Sequence, residues 1–279
     1  MSSEKVGPAR VQRITEAMRT LTVKSQLQVI DSVKNGFALQ DSRGIKFAAR
    51  SLSEYKRTTK QKPWDAPIEE WIASFPPGAT FFDIGANTGA FSLLAAKLHG
   101  NRVMVCAVEP GFENFEALVH NIVQNEFGEV IVPLPIGLSD ETGIATFNYH
   151  HLGAGTARHR LGSNGDPTQQ PFTPVARHSI LAFRLDDLIE RFRLPSPTHI
   201  KLDVDGAEDR VIAGAQRTLG SGSVREVWVE LTEQDFGDPT AEQLTRNLGA
   251  LGLSAVREVT RPGPEGTHPP VRDVLFVRR

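Results

Sequence analysis

The stretch TFFDIGANTGAF, residues 80–91, constrains the chain more than any other. An apolar run that reads as a β-strand reaches Asp83, turns through Gly85 and Gly89, and passes into the helical stretch TGAFSLLAAKLHG, which Gly100 stops. A strand that feeds directly into a helix belongs in a sheet with that helix packed across it. The same rhythm then repeats. VMVCAVE reads as a second strand before a helix through NFEALVHNIVQN, and EVIVPLPIGL as a third. THIKLDV is a fourth strand before AEDRVIAGAQRTL, and REVWVEL a fifth before AEQLTRNLGAL. Such alternation is the mark of an α/β fold whose parallel sheet is covered on both faces. GIATFNYH reads as an extra strand, LDDLIERF as a helix, and LSAVREV with RDVLFVRR as a closing antiparallel hairpin.

Upstream the pattern differs, so residues 1–63 are expected to form an N-terminal arm and residues 64–279 the main domain. A short helix is expected over 6–20, and short antiparallel strands between 22 and 57 from LQVIDSV and FALQDSRGIKFAAR, with turns at Asn35-Gly36 and Arg43-Gly44. A helix over 66–74 ends at Pro76-Pro77. Residues 150–178 are poor in apolar side chains and rich in glycine and proline, and are expected to be a long functional or disordered loop.

Charge divides along the same line. Residues 1–62 hold 13 Lys/Arg against 5 Asp/Glu, a balance of +8; the whole chain carries -2, which leaves -10 for the rest. A net charge of -2 excludes a general polyanion binder, so no nucleic-acid partner is expected. The basic arm suits phosphates, an acidic partner or an acidic body like its own, and docking within a homo-oligomer is the favoured expectation. A single cysteine, Cys106, sits inside the apolar run VMVCAV and reads as packed core. The absence of a disulfide framework, of an apolar signal region in MSSEKVGPARVQRITEAM, and of any membrane-length apolar run gives a cytoplasmic, membrane-free expectation.

Glycines at a strand–helix turn let backbone approach a ligand beside the free N–H groups of a helix N-terminus. Glu109 ends the second strand 24 residues after Gly85, where an acid can accept hydrogen bonds from both hydroxyls of a ribose. The glycine spacing, with Ala86-Asn87-Thr88 between Gly85 and Gly89, departs from G-x-G-x-x-G, and Asp83 sits where a dinucleotide fold keeps its strand end apolar. A pyrophosphate near Asp83 would be repelled, whereas the sulfonium and ammonium of S-adenosylmethionine would be attracted. The expected ligand is therefore S-adenosylmethionine rather than NAD.

HIKLDVDGAE, residues 199–208, is the second informative stretch, because Lys201, Asp203 and Asp205 share one strand face near its carboxyl end. Ionised groups are costly there unless paired or solvated in a site. Asp205 and Glu208 fit either a capping box or the active site. Glu230 closes the neighbouring strand, so Asp203 and Glu230 are expected to line one cleft; the competing reading is a structural ion-pair network centred on Lys201.

Taken in order, FFDIGANTGAFS, AVEPGFENFEALVHNI, PIGLSDETGIATF, FRLDDLI, THIKLDVDGAEDRVIAGA and VWVEL resemble the FkbM family of S-adenosylmethionine-dependent methyltransferases over about residues 64–232. The resemblance implies a class I methyltransferase fold: a Rossmann-like sheet of seven strands, six parallel and the last antiparallel. It implies O-methylation of a hydroxyl on a small molecule, typically a sugar, polyketide or other specialised metabolite. It places the donor site on Asp83, Gly85, Ala86, Asn87, Gly89 and Glu109, with Ser139 and Asp140 bordering the adenine end, and Asp203 and Glu230 facing the acceptor. Relatives often carry a histidine soon after the strand-five glutamate, whereas this chain reads Glu230-Leu231-Thr232-Glu233.

A neutral hydroxyl is a poor nucleophile and needs a base or a metal. Asp203 is assigned that task, as base or as an Mg²⁺ ligand together with Glu230, with Lys201 orienting it. His150, His151, His159, His178 and His199 are alternative bases, each on its own more readily a surface or loop residue. Arg158 and Arg160 could hold an acidic or phosphorylated acceptor, although a solvated loop is the default. Two other classes stand beside the methyltransferase: a nicotinamide oxidoreductase, and a non-catalytic adenosyl-binding or scaffold protein. DNA amino-methylation lacks its Asp/Asn-Pro-Pro-aromatic segment, and cytosine-carbon methylation lacks a cysteine after proline.

Overall fold

The structure is a computed structural model and describes residues 7–36, 38–59, 65–162, 173–232, 241–261 and 271–279. The chain begins with α1 (Pro8–Arg19), α2 (Val23–Gly36), the hairpin β1 (Ala38–Gln40) and β2 (Lys46–Ala48), α3 (Leu52–Thr59) and α4 (Ala66–Ala73). Next come β3 (Ala79–Ile84), α5 (Ala90–His99), β4 (Val103–Val108), α6 (Phe112–Gln124) and β5 (Ile131–Leu134). Four strands follow, β6 (Gly137–Leu138), β7 (Gly143–Tyr149), β8 (Arg160–Leu161) and β9 (Ala176–Phe183). The last part comprises α7 (Leu185–Phe192), β10 (His199–Leu202), α8 (Glu208–Ala213), α9 (Gln216–Gly220), β11 (Glu226–Thr232), α10 (Ala241–Ala250), β12 (Leu253–Arg261) and β13 (Val271–Arg278).

The main sheet has seven strands in the order β12-β13-β11-β10-β3-β4-β5. From β5 to β11 every pairing is parallel, and β13 runs antiparallel to both β11 and β12. The closing hairpin read from LSAVREV and RDVLFVRR is thus β12 and β13. Strand order reverses at β3, which has β4 on one side and β10 on the other; open α/β sheets place their ligands at the carboxyl ends flanking such a reversal.

Side-chain alternation divides the core between the two faces of the sheet. Phe82, Ile84, Ile200 and Leu202 pack with Leu188, Val211 and Leu219 under α7–α9. Phe81, Val105 and Trp228 pack with Trp71, Leu93 and Leu118 under α4–α6. Asp83 shares the Phe81 face, and strand register sets Lys201 beside it. Both are therefore directed under α5, a placement with consequences for the site.

Several local expectations change. LQVIDSV is helical, within α2, because Val23, Leu27 and Ile30 recur at intervals of four and three, which one helix face satisfies and an alternating strand does not. The hairpin from FALQDSRGIKFAAR is present as β1–β2, with Gly44 at φ 78° in its turn. Its Ile45 and Phe47 are buried in the α4–α6 core, and Asn125 Oδ1 at the C-cap of α6 and Asn121 Oδ1 on α6 accept from Lys46 N and Ala48 N at 2.8 Å each. The expected single helix through AEDRVIAGAQRTL is two helices, interrupted where Gly214 passes so close to the Ser139 carbonyl that a Cβ would lie 2.0 Å from that oxygen.

The expected third strand EVIVPLPIGL divides between sheets: β5 stays in the main sheet and β6 joins a second sheet, β6-β9-β7-β8. The extra strand GIATFNYH is β7 of that second sheet. Its long partner β9 begins at Ala176, inside the stretch expected to be loop; residues 163–172 of that stretch lie outside the described residues. Among the described residues no helix is long and apolar enough to cross a membrane.

Candidate functional site

A cleft opens over the carboxyl ends of β3, β4 and β10, at the reversal in strand order. Its floor is made by Gly85 and Asn87 after β3, Glu109 after β4, and Asp203 and Asp205 after β10. Its roof is Leu138, Phe147, Thr156, Ala157, His159 and Leu161, all from the second sheet and its loop.

Gly85 is required by both space and backbone angle. Its φ is 81°, and a Cβ would sit 1.7 Å from the carbonyl oxygen of Asp203. Gly85→Ala is expected to cost about 2–5 kcal/mol, the sum of about 1–2 for a left-handed alanine and about 1–3 for overpacking. Urea denaturation checks this as a lowered midpoint with an unchanged slope. Gly89, at φ 89°, lies outside the cleft: its absent Cβ makes room for Leu118 Cδ1, 2.5 Å from the ideal Cβ position, so it serves the packing of α5 on α6. Ala86 is likewise buried in the core.

Glu109 is held from two sides. Its Oε2 accepts from Asn87 N at 2.8 Å, and its Oε1 from Gly111 N at 2.8 Å and Asn114 Nδ2 at 3.5 Å. Burial pushes its carboxyl up to about 7, while these hydrogen bonds pull the other way. Asn114 and Asn87 also hold the roof: their Nδ2 atoms donate to Thr156 O at 3.1 and 2.8 Å, and Asn114 Oδ1 accepts from Gly155 N at 2.8 Å. Gly153 N donates to Glu113, Arg158 N to Asp205 Oδ2 at 2.7 Å, and Ser51 Oγ to Ala154 O at 2.8 Å. The segment 153–158 is thus a strap fastened across the cleft through backbone groups, with the start of α3 as one anchor.

Asp83 is corrected as a donor-facing residue. It is fully buried, and its Oδ2 accepts from Ser92 N at 3.1 Å and Ser92 Oγ at 2.6 Å, which satisfies a free N–H in the first turn of α5. Lys201 Nζ lies 3.4 Å from Asp83 Oδ1 and 3.1 Å from Asp203 Oδ2, donates to Gly85 O at 3.2 Å, and stands 5.5 Å over the Phe91 ring. The Lys201-centred ion-pair network is therefore what these residues form. Burial works against the ammonium, but Asp203 and Asp83 outweigh it and hold Lys201 above the ordinary lysine range. The acids on the cleft itself are Glu109, Asp203 and Asp205.

Asp205 adopts φ 56° and does not cap α8, whose N-cap is Ala207; Glu208 turns back instead to accept from Val204 N at 3.0 Å and Gly206 N at 3.1 Å. With no side-chain cap on α8, the capping box is not what these residues form, and Asp205 lines the cleft. Ser139 and Asp140 stand outside the cleft: Ser139 Oγ donates to Asp140 Oδ1 at 2.9 Å, and Arg210 Nε reaches the same oxygen at 2.9 Å. The neighbouring Gly137 and Leu138 are the ones that border it.

Glu230 also stands outside, in register with Asp273 of β13, so Asp203 and Glu230 do not share this cleft. These two carboxylates do not fit the Mg²⁺ expected of them. Asp203 already faces the Lys201 ammonium, and among the described residues no group of three or more His, Cys, Asp or Glu side chains could hold a metal ion.

Of the alternative bases, His199 is buried at the start of β10 with its ring 4.3 Å from that of Phe75, and burial pushes it down to about 4. His178 stacks on Tyr149. His159 is the histidine that lines the cleft: its Nδ1 accepts from His150 N at 3.3 Å, which leaves the Nε2 proton of the neutral ring for Thr156 Oγ1 at 3.0 Å. Sequence reasoning missed Asn114 and Thr156, for neither residue type nor spacing marks an asparagine in the first turn of a helix, or a threonine in a polar loop, as part of a site.

The Methyltransferase FkbM domain family matches residues 83–253. The chain is 24% identical over 176 residues to the hexuronic acid methyltransferase AglP of Haloferax volcanii, covering 63% of this chain and 66% of that one. It is 30% identical over 161 residues to the 31-O-demethyl-FK506 methyltransferase FkbM of Streptomyces tacrolimicus, covering 50% of this chain and 60% of that one. The chain thus spans less than two thirds of the length of both curated relatives. Among solved structures, methyltransferase FkbM from Methylobacillus flagellatus KT superposes with a TM-score of 0.51 at 15% identity, covering 80% of this chain and 50% of that one. A SAM-dependent methyltransferase from Agrobacterium tumefaciens does so with a TM-score of 0.50 at 10% identity, covering 87% and 70%. These two likenesses speak for the fold alone.

Proposed function

We propose a reaction from one premise: the chain belongs to the FkbM methyltransferase family. The reaction is transfer of a methyl group from S-adenosylmethionine to a hydroxyl of a sugar, polyketide or comparable specialised metabolite, on a class I methyltransferase fold. The observation that carries the donor is the charge of the cleft. It presents Glu109, Asp203 and Asp205, and none of its described lining residues is Lys or Arg. Such a site attracts a sulfonium and an ammonium and repels a pyrophosphate. An oxygen acceptor is favoured by the names of the two relatives, one for a hexuronic acid and one for 31-O-demethyl-FK506.

Glu109 would hold the ribose hydroxyls, kept in place by the N–H groups of Asn87 and Gly111. Gly85 lets backbone approach the donor beside Asp203, and the strap at Thr156 excludes water from above. The bound donor supplies an electrophilic methyl carbon. Asp203 takes the proton of the acceptor hydroxyl as its oxygen bonds to that carbon and the carbon–sulfur bond breaks, which leaves an ether, a thioether and a protonated Asp203. Lys201, 3.1 Å behind, fixes the carboxylate for this role. No step requires a metal.

Titration calorimetry tests the donor assignment. S-adenosylhomocysteine should saturate one site while NAD gives no heat; the reverse result would sink the reading. Labelled donor offered to uronic acids and to hydroxyl-bearing polyketides then tests transfer, and binding without transfer to any acceptor would favour the non-catalytic alternative.

The donor should also bind in a pH-dependent way. The Glu109 carboxyl is raised to about 7 when folded, so its contribution to the stability of the unliganded protein is full below the ordinary carboxylate range and is lost as pH rises through about 7. A cationic donor favours the ionised form. Donor affinity is therefore expected to rise with pH up to about 7 and then level off, with proton release on binding near pH 7. Calorimetry in two buffers of different ionisation enthalpy reads that proton, and Glu109→Gln should bind more weakly and without this pH dependence.

A further inference from the structure

Two of the helices have no core of their own. No residue of the span 7–33 is buried, and Val11, Ile14, Val23 and Leu27 are 51%, 58%, 72% and 54% exposed. Isolated helices of 12 and 14 residues, the lengths of α1 and α2, are marginal in water unless an amphipathic face is covered. Each face carries a regular seam, which in α2 is widened by Val29 and Val33, 39% and 49% exposed. Val11, Ile14, Met18 and Leu21 follow one another at intervals of three, four and three, and Val23, Leu27 and Ile30 at four and three. That is the a/d spacing by which one helix packs on another. A lipid surface is a poorer match, since interfacial helices use Trp and Phe, and residues 7–36 contain no aromatic residue.

The charges beside the seam identify the partner. With Leu27 and Ile30 at a and d positions, Lys24 and Asp31 both fall at the flanking e position, and both are exposed. When α2 pairs antiparallel with α2 of a second copy, Leu27 of each faces Ile30 of the other, and e positions face e positions. Lys24 of each copy then stands beside Asp31 of the other, twice, related by a two-fold axis. A parallel pairing would instead set Asp31 beside Gln26. The arm thus carries its own complement. We propose that α1 and α2 form a dimerisation arm that packs antiparallel against the same arm of a second copy of this chain, with Lys24 and Asp31 setting the register. The proposal is independent of the reaction assigned above.

Sedimentation equilibrium of the full chain tests it, with the thermal midpoint as a check on folding. The unaltered chain is expected to be dimeric at micromolar concentration. Lys24→Glu alone and Asp31→Lys alone should each weaken the dimer by about tenfold, by turning two attractions into two repulsions. The double variant should recover it to within about threefold, because both pairs are restored with their signs exchanged. Leu27→Asp should leave a monomer with an unaltered thermal midpoint. A chain that stays monomeric up to about 50 µM, single variants without effect, or a double variant no better than the singles would each overturn the proposal. So would a monomer that co-sediments with phosphatidylglycerol vesicles.

Discussion

Lys201→Met is expected to lower stability by about 3–5 kcal/mol, the usual consequence of removing one partner from a buried ion pair. The ammonium lies within 3.4 Å of Asp83 and 3.1 Å of Asp203, and Asp83 is fully buried. A methionine of similar length fills the space and leaves two carboxylates facing each other across it. Solvent relieves Asp203, whose side chain is 31% exposed, but not Asp83. Asp83→Asn in the Lys201→Met background should therefore recover a large part of the loss, since Ser92 can still bond the amide oxygen. Urea unfolding of the four proteins of this cycle measures the coupling. Because the folded lysine is raised, its contribution is full below the ordinary lysine pKa and is lost only as pH rises through the higher folded value. The penalty should therefore not change across the neutral range. A loss below about 1 kcal/mol would mean that the network is solvated.

Asp203→Asn should reduce kcat by about 10²–10⁴-fold, the usual span for removing a general base, while affinity for S-adenosylhomocysteine changes only a few-fold. Asparagine keeps the shape and can still accept from Lys201, so neither misfolding nor a lost donor site explains such a split. The measurement needs an acceptor that is turned over, and single-turnover rates with labelled donor read the chemical step directly. Near-native turnover in this variant would remove Asp203 as the base. His159 would then be the group to change next, since it lines the same cleft.

Much of the frame was legible because it follows from local rules. Strand–turn–helix at TFFDIGANTGAF, an acid at the end of the next strand, and alternation through THIKLDV each report on neighbours a few residues apart. What failed was non-local or ambiguous. Asp83 reads as an acid at a strand mouth, yet its side chain alternates with Phe82 and so turns beneath α5, where Ser92 takes it. LQVIDSV suits a strand by composition, and only the spacing of its apolar residues marks it as a helix. ARHSILAF lay beside a glycine- and proline-rich stretch that hid its pairing with β7. Asp205 could be weighed as a cap or as a wall, but its φ of 56° and its bond to the strap depend on a segment 47 residues away in sequence. Glu230 closes an apolar run just as Glu109 does, but it lies inside β11, on the far side of β10 from β3, away from the reversal in strand order.

The second sheet has a consequence for how such a protein can diversify. The chain departs after β5 and returns at α7, and the departing and returning strands, β6 and β9, pair with each other through Gly137–Ala182 and Leu138–Phe183. Everything between them is one continuous cassette that closes on itself at its base. Exchanging that cassette for another with the same two ends would give the cleft a new ceiling, while Gly85, Glu109 and Asp203 beneath it kept their places.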